Sequence, residues 1–444
     1  MHVLPRVREL EELFPDSLTV IGVHSGKFVT ERKTDRIAEA CDRLGVAHAV
    51  VNDHQYRIWR DYAVNAWPTL VVIDPEGYIA LVAPGEVSVD TMADALREIE
   101  RRSSERGTLV RGPDPTAPRL QRHEGTLRFP TRAIVAADRL WVADTGHGRI
   151  LECSWTPAEN TATILAEYSG FAEPRGLAEL GGSIYVADRA GHSIWRLGRS
   201  GGEVAGSGGT GGEAADGDRD SANGAERVRV AGTGVMGERA VTPGPALASE
   251  LRSPWGLAAH GTRLAIAMAG SHQIWELDPA SGWLSLLAGR GAEDIYDGPS
   301  LEAALAQPTG LASLGDGSLA VADCETSAVR IASATDVRTV VGTGLFKFGD
   351  KSGVGDEALM EHCEDVAALG GALAVADTYN DRLKRVDPVT RSCEPWSGEA
   401  GEKGALREPG GVFGGGDHLL VADTGNHRIV AVAEDGSVAE IHFE

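Results

Sequence analysis

The stretch LLVADTGNHRI at Leu419–Ile429 decides the fold, because the chain repeats it several times. The clearest further copies are LWVADTGHGRI at Leu140–Ile150 and IYVADRAGHSI at Ile184–Ile194. More divergent copies are LAIAMAGSHQI at Leu264–Ile274, LAVADCETSAV at Leu319–Val329 and LAVADTYNDRL at Leu373–Leu383. The Asp-equivalent positions are 144, 188, 268, 323, 377 and 423, with steps of 44, 80, 55, 54 and 46 residues. Repeats of this period are typical of β-propellers, in which each repeat builds one four-stranded blade.

Each copy predicts a β-hairpin. In the last copy an alternating apolar strand runs into Asp423, followed by a Thr-Gly-Asn turn and a second strand from Arg428. We expect the Asp to accept backbone N–H bonds and to pair with the nearby Arg, which would lock its hairpin. The residues of this structural series are Asp144, Asp188, Asp323, Asp377 and Asp423, with Arg149, Arg382 and Arg428. Met268 takes the Asp position in the third repeat, so we expect that hairpin to be looser or its rim altered for contact.

A second motif precedes most copies. It is Pro-x-Gly followed by Leu or Val, and it begins at Pro174, Pro254, Pro308 and Pro409. A Pro that enters a strand and a Gly that lets backbones crowd together suit an innermost strand near a propeller axis. The first repeat has FPTRAIV instead, with Arg132 in place of the Gly, and the fifth has CEDVAAL, with neither residue.

Three hairpin histidines each follow the Asp position by four residues: His192, His272 and His427. They could be metal ligands, but equivalent positions in different blades are spread around a ring and cannot converge on one ion. We therefore expect them to be structural, bonding to the hairpin backbone or a neighbouring carboxylate. We expect no metal site and no cofactor, although a metal on the central axis is a weaker alternative.

Composition restricts the class of function. The chain has 42 basic and 65 acidic residues and a net charge of −23, which disfavours nucleic acid as a partner. No apolar run is long enough to span a membrane, and no secretory signal is visible. The five cysteines are odd in number and far apart, which favours a reducing, cytoplasmic location. Motifs for serine hydrolases, phosphate-binding loops and zinc peptidases are lacking, so we expect no catalytic residue.

These repeats resemble the NHL repeat family, whose blades carry a Pro-x-Gly entry and a Val-Ala-Asp-Thr-Gly-Asn-x-Arg hairpin. The resemblance covers residues 124–444 and implies a six-bladed, all-β NHL propeller. It also implies a protein or peptide partner on the propeller face. Within this region, residues of about 200–226 have almost no apolar content and predict a disordered loop.

Residues 1–102 have a different pattern, in which helices alternate with strands, and they predict an α/β sheet. Ala66-Trp67-Pro68-Thr69, followed by LVVIDPEGYI, resembles the thioredoxin-like fold and its redoxin branch, where a cis-proline precedes a strand. The resemblance implies that Trp67, Pro68 and Thr69 present backbone to an extended peptide. Without thiols beside it, two interpretations stay open: a turn that only defines the fold, which we favour, or a segment that binds peptide without chemistry. Residues 103–123 are rich in Arg, Pro and Gly and predict a linker. The whole combination resembles the NHL-repeat-containing protein 2-like family.

The first domain departs from that family in one respect. Its opening MHVLPRVRELEELFP resembles the helix that follows a Cys-x-x-Cys motif, so the first strand and both cysteines of a thioredoxin-like domain are not in this sequence. Dithiol chemistry requires a low-pKa thiolate and a resolving thiol. Two explanations stay open: a natural start further upstream that restores the motif, which we favour because a sheet without that strand exposes its edges, or loss of the cysteines.

Three functions follow from these observations. The leading one is a non-catalytic interaction or scaffold protein with a redox-dead thioredoxin-like module. The alternative is a thiol–disulfide oxidoreductase, in keeping with a family-level role in cell redox homeostasis, whose Cys-x-x-Cys lies upstream. A weaker alternative is a propeller lyase or hydrolase with a metal in the central channel. The sequence does not indicate the oligomeric state.

Overall fold

The computed structural model describes residues 3–85, 87–114, 116, 123–198, 219–222, 225–237, 241–416 and 418–444. The chain divides into two compact units, Met1–His123 and Glu124–Glu444. None of the described helices is both long and apolar enough to cross a membrane.

The first unit alternates helices and strands. Its elements are α1 (Val3–Leu13), β1 (Ile21–His24), α2 (Thr34–Leu44), β2 (Ala49–Asn52), α3 (Arg57–Asp61), β3 (Thr69–Ile73), β4 (Ile79–Pro84) and α4 (Val89–Arg106), with a 3₁₀ turn at Thr30–Arg32. β1 pairs with β2 in parallel, and β3 pairs with β4 antiparallel. The two pairs form separate two-stranded sheets in the described part of the chain.

The core of this unit lies where α1 and α4 pack against β3 and β4. Leu10 and Phe14 contact Met92 and Leu96, with Leu70 of β3 packed beside them. Spacings of four residues place these side chains on one face of each helix, which is why both helices cover the same sheet.

Helix α4 runs four residues into the predicted linker 103–123. Ion pairs of Glu98 with Arg101 and Arg102 support its last turns, and Gly107, at φ 71°, ends it in the left-handed region. Residues 115 and 117–122 of the predicted linker lie outside the described residues.

The second unit is a ring of six antiparallel sheets, so the six-bladed prediction is confirmed. The four main strands of each blade are, from the axis outward, blade 1: Arg132–Ala136, Arg139–Asp144, Arg149–Thr156, Thr161–Ser169; blade 2: Pro174–Leu180, Ser183–Asp188, Ser193–Leu197, Ala225–Ala231; blade 3: Pro254–His260, Arg263–Met268, Gln273–Asp278, Trp283–Ala288; blade 4: Pro308–Ser313, Leu319–Asp323, Ala328–Ala332, Asp336–Val341; blade 5: Asp365–Leu369, Ala372–Asp377, Arg382–Val386, Ser392–Pro395; and blade 6: Pro409–Gly415, His418–Asp423, Arg428–Val432, Val438–Glu440. Short fifth strands on the outer edges are Arg219–Ala222, Gly244–Pro245, Gly298–Pro299 and Gly353–Val354.

The chain closes the ring with its last residues. The strand His442–Phe443 pairs in parallel with the outer strand of blade 1, where His442 lies opposite Thr161. Ile164 also donates its N–H to the carbonyl oxygen of Glu444 at 3.1 Å. The two ends of the propeller are thereby joined by backbone hydrogen bonds.

Six buried apolar clusters hold the blades together, one between each pair of neighbours. In blade 1, Trp141 packs towards blade 2, whereas Leu140 and Val142 pack towards blade 6. Both faces of each strand are therefore buried, which explains why the repeats have nearly continuous apolar stretches.

The predicted disordered loop of about 200–226 falls mostly outside the described residues. Its end was placed too late, because Arg219–Ala222 and Ala225–Ala231 pair as strands of blade 2. The apolar residues Val228 and Val230 favour a strand there, which the glycine-rich composition upstream concealed.

Candidate functional site

Three segments of the first unit meet at the carboxyl ends of the parallel strands β1 and β2. Ser25 follows β1, Asp53 follows β2, and Trp67 with cis-Pro68 precedes β3. The carboxyl ends of parallel strands lie at the same edge, and this edge is where open α/β sheets bind ligands. The Ser25 hydroxyl donates to Asp53 Oδ2 at 3.0 Å, and Trp67 Nε1 donates to the Ser25 carbonyl oxygen at 2.9 Å.

Asp53 organises this edge. Its carboxylate is buried, with 5% of the residue exposed, and accepts the backbone N–H groups of Ile58 at 3.1 Å and Trp59 at 2.9 Å. Burial favours the neutral acid, but these backbone hydrogen bonds and the one from Ser25 outweigh it and hold the pKa of Asp53 below its ordinary value. The carboxylate thereby fixes the start of α3 and the position of Trp59.

Three rings, which we name the aromatic strip, lead from this edge along the surface: Tyr56, Trp59 and Trp67. The ring centroids of Trp59 and Trp67 are 4.5 Å apart, and those of Tyr56 and Trp59 are 5.9 Å apart. The Arg32 guanidinium lies 5.4 Å from the Tyr56 ring and extends the row. Trp67 is 51% exposed, so the strip ends in an open indole beside cis-Pro68.

The predicted binding residues lie together at this position. Thr69 opens β3, and its hydroxyl donates to the Ala66 carbonyl oxygen at 2.7 Å, which fixes the turn before the strand. Among the described residues, none forms a hydrogen bond with the backbone N–H or C=O of Trp67. A backbone donor and acceptor that no described residue bonds, both on one half-exposed residue, suit an extended peptide laid alongside.

The cysteines lie elsewhere. Cys41, the single cysteine of the first unit, is on α2, where burial raises the pKa of its thiol. The other four are in the propeller, and burial raises the pKa of Cys153 and Cys393 to about 12 and that of Cys324 and Cys363 well above the ordinary value. Each is therefore a protonated thiol at neutral pH.

A pocket at the propeller axis is lined by the middle residues of the six entry motifs, which we name the axial ring: Thr131, Arg175, Trp255, Thr309, Glu364 and Gly410. Blades three apart face each other across the axis. Arg175 of blade 2 therefore meets Glu364 of blade 5, with 3.4 Å between Nη1 and Oε2. Trp255 of blade 3 faces Gly410 of blade 6, and the Arg175 guanidinium lies 4.3 Å from its ring.

A second layer lies beside the axial ring, at the glycine position of each motif. A Cβ on Gly256 would lie 2.1 Å from the Thr309 carbonyl oxygen, so the predicted crowding of backbones is present. The two repeats that lack this glycine supply Arg132 and Asp365, and these side chains form an ion pair. The pocket that these two layers line contains about 280 Å³ of empty space, open solvent included.

In every repeat with an Asp at the hairpin position, the carboxylate of that Asp accepts a backbone N–H group. Asp423 Oδ1 accepts the N–H of Arg407 at 2.6 Å, and Asp144, Asp188, Asp323 and Asp377 make equivalent bonds at 2.7 Å to a residue just before their own entry strand. Asp144 pairs with Arg149, and Asp423 pairs with Arg428, each at 2.7 Å.

Arg382 was predicted to pair with Asp377, and this was wrong. Arg382 pairs with Asp350 at 3.3 Å, and the cation nearest Asp377 is the buried Lys384 at 3.7 Å. Residues two apart in a strand point to the same face, so a cation two positions further on can serve the same carboxylate. Blade 4 uses that position too, where Arg330 lies 3.1 Å from Asp323.

The side chains of the hairpin histidines bond to the next blade. The Nδ1 atoms of His192, His272 and His427 accept the N–H groups of Ser253, Gln307 and Phe129 respectively, each at 3.1 Å. The three histidines have φ of 45°, 56° and 57° and close their turns in the left-handed region. They lie at different blade interfaces, and no group of three or more His, Cys, Asp or Glu among the described residues is arranged to hold a metal ion.

The hairpin with Met268 is not looser than the others. Met268 is fully buried, its sulfur lies 3.4 Å from the Arg252 backbone nitrogen, and its strand pairs in the usual register with Gln273. The sulfur takes the place of the carboxylate as a weak acceptor.

Sequence reasoning missed Ser25 and Asp53. A polar residue directly after each of two parallel strands was the available signal, since such positions meet at one edge. It also missed the axial ring. The available signal was the middle residue of each entry motif, because in a six-bladed ring these residues face each other in pairs from blades three apart.

Comparison with known proteins agrees with this architecture. Residues 1–79 match a family model described as thioredoxin-like. The chain is 32% identical to human NHL repeat-containing protein 2 over 97% of this chain and 64% of the human protein. It is 31% identical to the chloroplastic protein SUPPRESSOR OF QUENCHING 1 of Arabidopsis thaliana over 97% of this chain and 42% of that protein.

The chain thus spans just under two thirds of the human relative and less than half of the plant one. Among solved structures, a virginiamycin B lyase from Staphylococcus aureus aligns with a TM-score of 0.43 at 12% identity, covering 72% of this chain and 87% of the lyase. Over 97% of its length the chain is thus similar to NHL repeat-containing protein 2, and it combines a thioredoxin-like unit with a six-bladed propeller.

Proposed function

We propose that this chain is a protein-binding protein whose thioredoxin-like unit holds an extended peptide at cis-Pro68 and does no dithiol chemistry of its own. The proposal depends on the edge around Trp67, which combines a half-exposed indole with a backbone N–H and C=O that no described residue bonds. Cys41, the one thiol of this unit, lies on α2 instead.

The geometry suits strand addition. An extended peptide that hydrogen-bonds to the Trp67 backbone would align with the chain entering β3, and its side chains would alternate between the aromatic strip and solvent. Tryptophan is among the residues that contribute most to binding when a partner covers them. Trp67 is held for this purpose by its bond to Ser25, so little side-chain freedom is lost on binding.

We propose that the propeller offers a second partner surface on one of its faces. The axial ring and the pair of Arg132 with Asp365 line the axis, which favours binding across a face over passage through a channel. A cytoplasmic location is part of the same proposal and is supported by five free thiols.

The test uses the full 444-residue chain. Pools of nine-residue peptides with an uncharged fluorophore should bind it, as measured by fluorescence anisotropy, and insulin reduction with dithiothreitol should not exceed the rate without protein. Trp67→Ala should weaken peptide binding roughly thirtyfold, the usual effect of removing a hot-spot tryptophan. Trp283→Ala is the matched control, since Trp283 is 48% exposed but lies in the propeller. Equal binding by both variants would refute the proposed site.

A second candidate function is thiol–disulfide exchange with cysteines supplied by sequence outside these 444 residues. The observation that favours it is the open sheet: β1 and β3 each have a described strand on one side only, and Ile21, Val23 and Ile73 are 55%, 43% and 48% exposed. A strand that covers such edges would bring its own end close to cis-Pro68. The genomic sequence directly upstream tests this candidate, because it either encodes an in-frame strand with Cys-x-x-Cys or does not.

A further inference from the structure

We infer that the surface along the aromatic strip selects acidic peptide segments, with Arg32 as the specificity-determining residue. This inference rests on the proposed function, because it names the chemical class of the peptide that the same edge would bind.

The charge of this surface is opposite to that of the chain. The segments that form it, residues 24–33 and 53–67, carry five basic residues, Lys27, Arg32, Lys33, Arg57 and Arg60. Their acidic residues are Glu31, Asp53 and Asp61. The whole chain has 42 basic against 65 acidic residues, so a basic majority is a local exception. Complementary charge raises the association rate and selects partners.

Two of the three acidic groups are already engaged. Asp53 is buried and accepts backbone N–H groups, and Glu31 Oε2 accepts the N–H of Phe28 at 3.0 Å. Asp61 is the exposed one, and it lies 3.9 Å from Arg57 at the far end of α3. These bonds do not remove the negative charges, but five cations against three carboxylates leave the strip with a net positive charge.

Arg32 lies in line with the aromatic strip. Its guanidinium contacts the Tyr56 ring, and it donates to the carbonyl oxygen of Gly26 at 3.3 Å. The Tyr56 hydroxyl donates to the same oxygen. A guanidinium held over an aromatic ring keeps a defined orientation, and its planar fork suits a carboxylate.

The aromatic rings determine how far the Arg32 guanidinium lies from the Trp67 ring. From Arg32 through Tyr56 and Trp59 to Trp67, successive separations are 5.4, 5.9 and 4.5 Å. An extended peptide advances about 3.3 Å per residue, so this path covers at most about five residues. An acidic side chain about four or five residues from the one beside Trp67 would reach Arg32.

The experiment compares three peptide pools on the full chain. Each peptide has nine residues, with Leu at the central position and an uncharged fluorophore. The first and last residues are both Glu in one pool, both Gln in the second and both Lys in the third. The remaining positions are random mixtures of Ala, Val and Thr. An exposed ion pair of Glu with Arg32 is weak, and a Lys at the same position is repelled, so we expect the Glu pool to bind about fivefold more tightly than the Lys pool. High salt should remove that difference by screening.

The variant Arg32→Gln/Lys33→Gln removes two exposed charges from the strip, and Arg97→Gln/Arg102→Gln removes two exposed charges from α4 as the matched control. We expect only the first variant to bind the Glu and Lys pools equally, with thermal melting showing that both variants fold. If all pools bind the unmodified chain equally, acidic selection is wrong while peptide binding stands. If no pool binds, both this inference and the proposed function fail.

Discussion

Arg132 and Asp365 form an ion pair at the propeller axis, although 233 residues separate them in the chain. Each occupies the position at which the other four entry strands carry glycine. Arg132 also donates to the Val412 carbonyl oxygen at 2.9 Å, and Asp365 accepts the Val412 N–H at 2.8 Å. Blades 1, 5 and 6 are thereby tied together at one point, so the two exceptions to the repeat compensate each other.

Removing either partner should destabilise the propeller strongly. Burial lowers the pKa of Arg132 to about 10, which still leaves it charged at neutral pH. Arg132→Leu or Asp365→Leu alone strands a buried charge, and we expect the free energy of unfolding to fall by about 3–5 kcal/mol. The double variant should lose less than the sum, because no charge is left uncompensated. Urea unfolding followed by tryptophan fluorescence measures this, and additive losses would contradict the pairing.

The hairpin histidines should stabilise the ring rather than bind metal. His272→Ala leaves the Gln307 N–H without its acceptor, and we expect a loss of about 1–2 kcal/mol in the free energy of unfolding. His272→Asn should lose less, because Asn keeps an acceptor and tolerates positive φ. Blade 5 already uses Asp381 in this way, accepting the Glu408 N–H at 3.0 Å. Chemical unfolding of the two variants measures these losses. If His272→Ala were as stable as the unmodified protein, the prediction would be wrong.

The contribution of Asp377 to stability should fall as pH rises. Burial raises the pKa of Asp377 from 3.8 to about 7, so the folded state holds this proton more tightly than the unfolded chain does. The stabilisation is therefore full below about pH 4 and is lost as pH rises through about 7. Asp377→Asn cannot titrate, so the stability of the unmodified protein relative to this variant should decrease with pH by at most about 1.4 kcal/mol per unit. Denaturant unfolding at several pH values measures the slope; an increase would mean that Lys384 keeps Asp377 ionised.

Gly256 should be irreplaceable even by alanine. A Cβ there would lie 2.1 Å from the Thr309 carbonyl oxygen, which belongs to the backbone of the next blade and cannot turn aside. We expect Gly256→Ala to lower the melting temperature markedly, with a loss of about 3 kcal/mol or more, or to prevent folding. Gly315→Ala is the control, since nothing lies within 4 Å of its added Cβ. Calorimetry compares the two, and equal melting temperatures would count against close contact at the axis.

The fold was predictable because its signals are local. Each VAD hairpin is contained in about eleven consecutive residues, and alternation and turn residues act over that distance. In the first unit the strand before Asp53 and the turn at Pro68 were readable for the same reason. The end of α4 was not, because the ion pairs of Glu98 carry the helix beyond the point where its apolar pattern stops.

By itself the sequence determined the repeat, the number of blades and the thioredoxin-like order of helices and strands, since all of these depend on neighbouring residues. Only the tertiary structure decided which side chains meet: Arg132 with Asp365, Arg382 with Asp350 instead of Asp377, and each hairpin histidine with the following blade. These partners are brought together when the sheets pack around a closed ring. Closure places residues from distant repeats within a few ångströms of each other, and no local pattern records which of them will be neighbours.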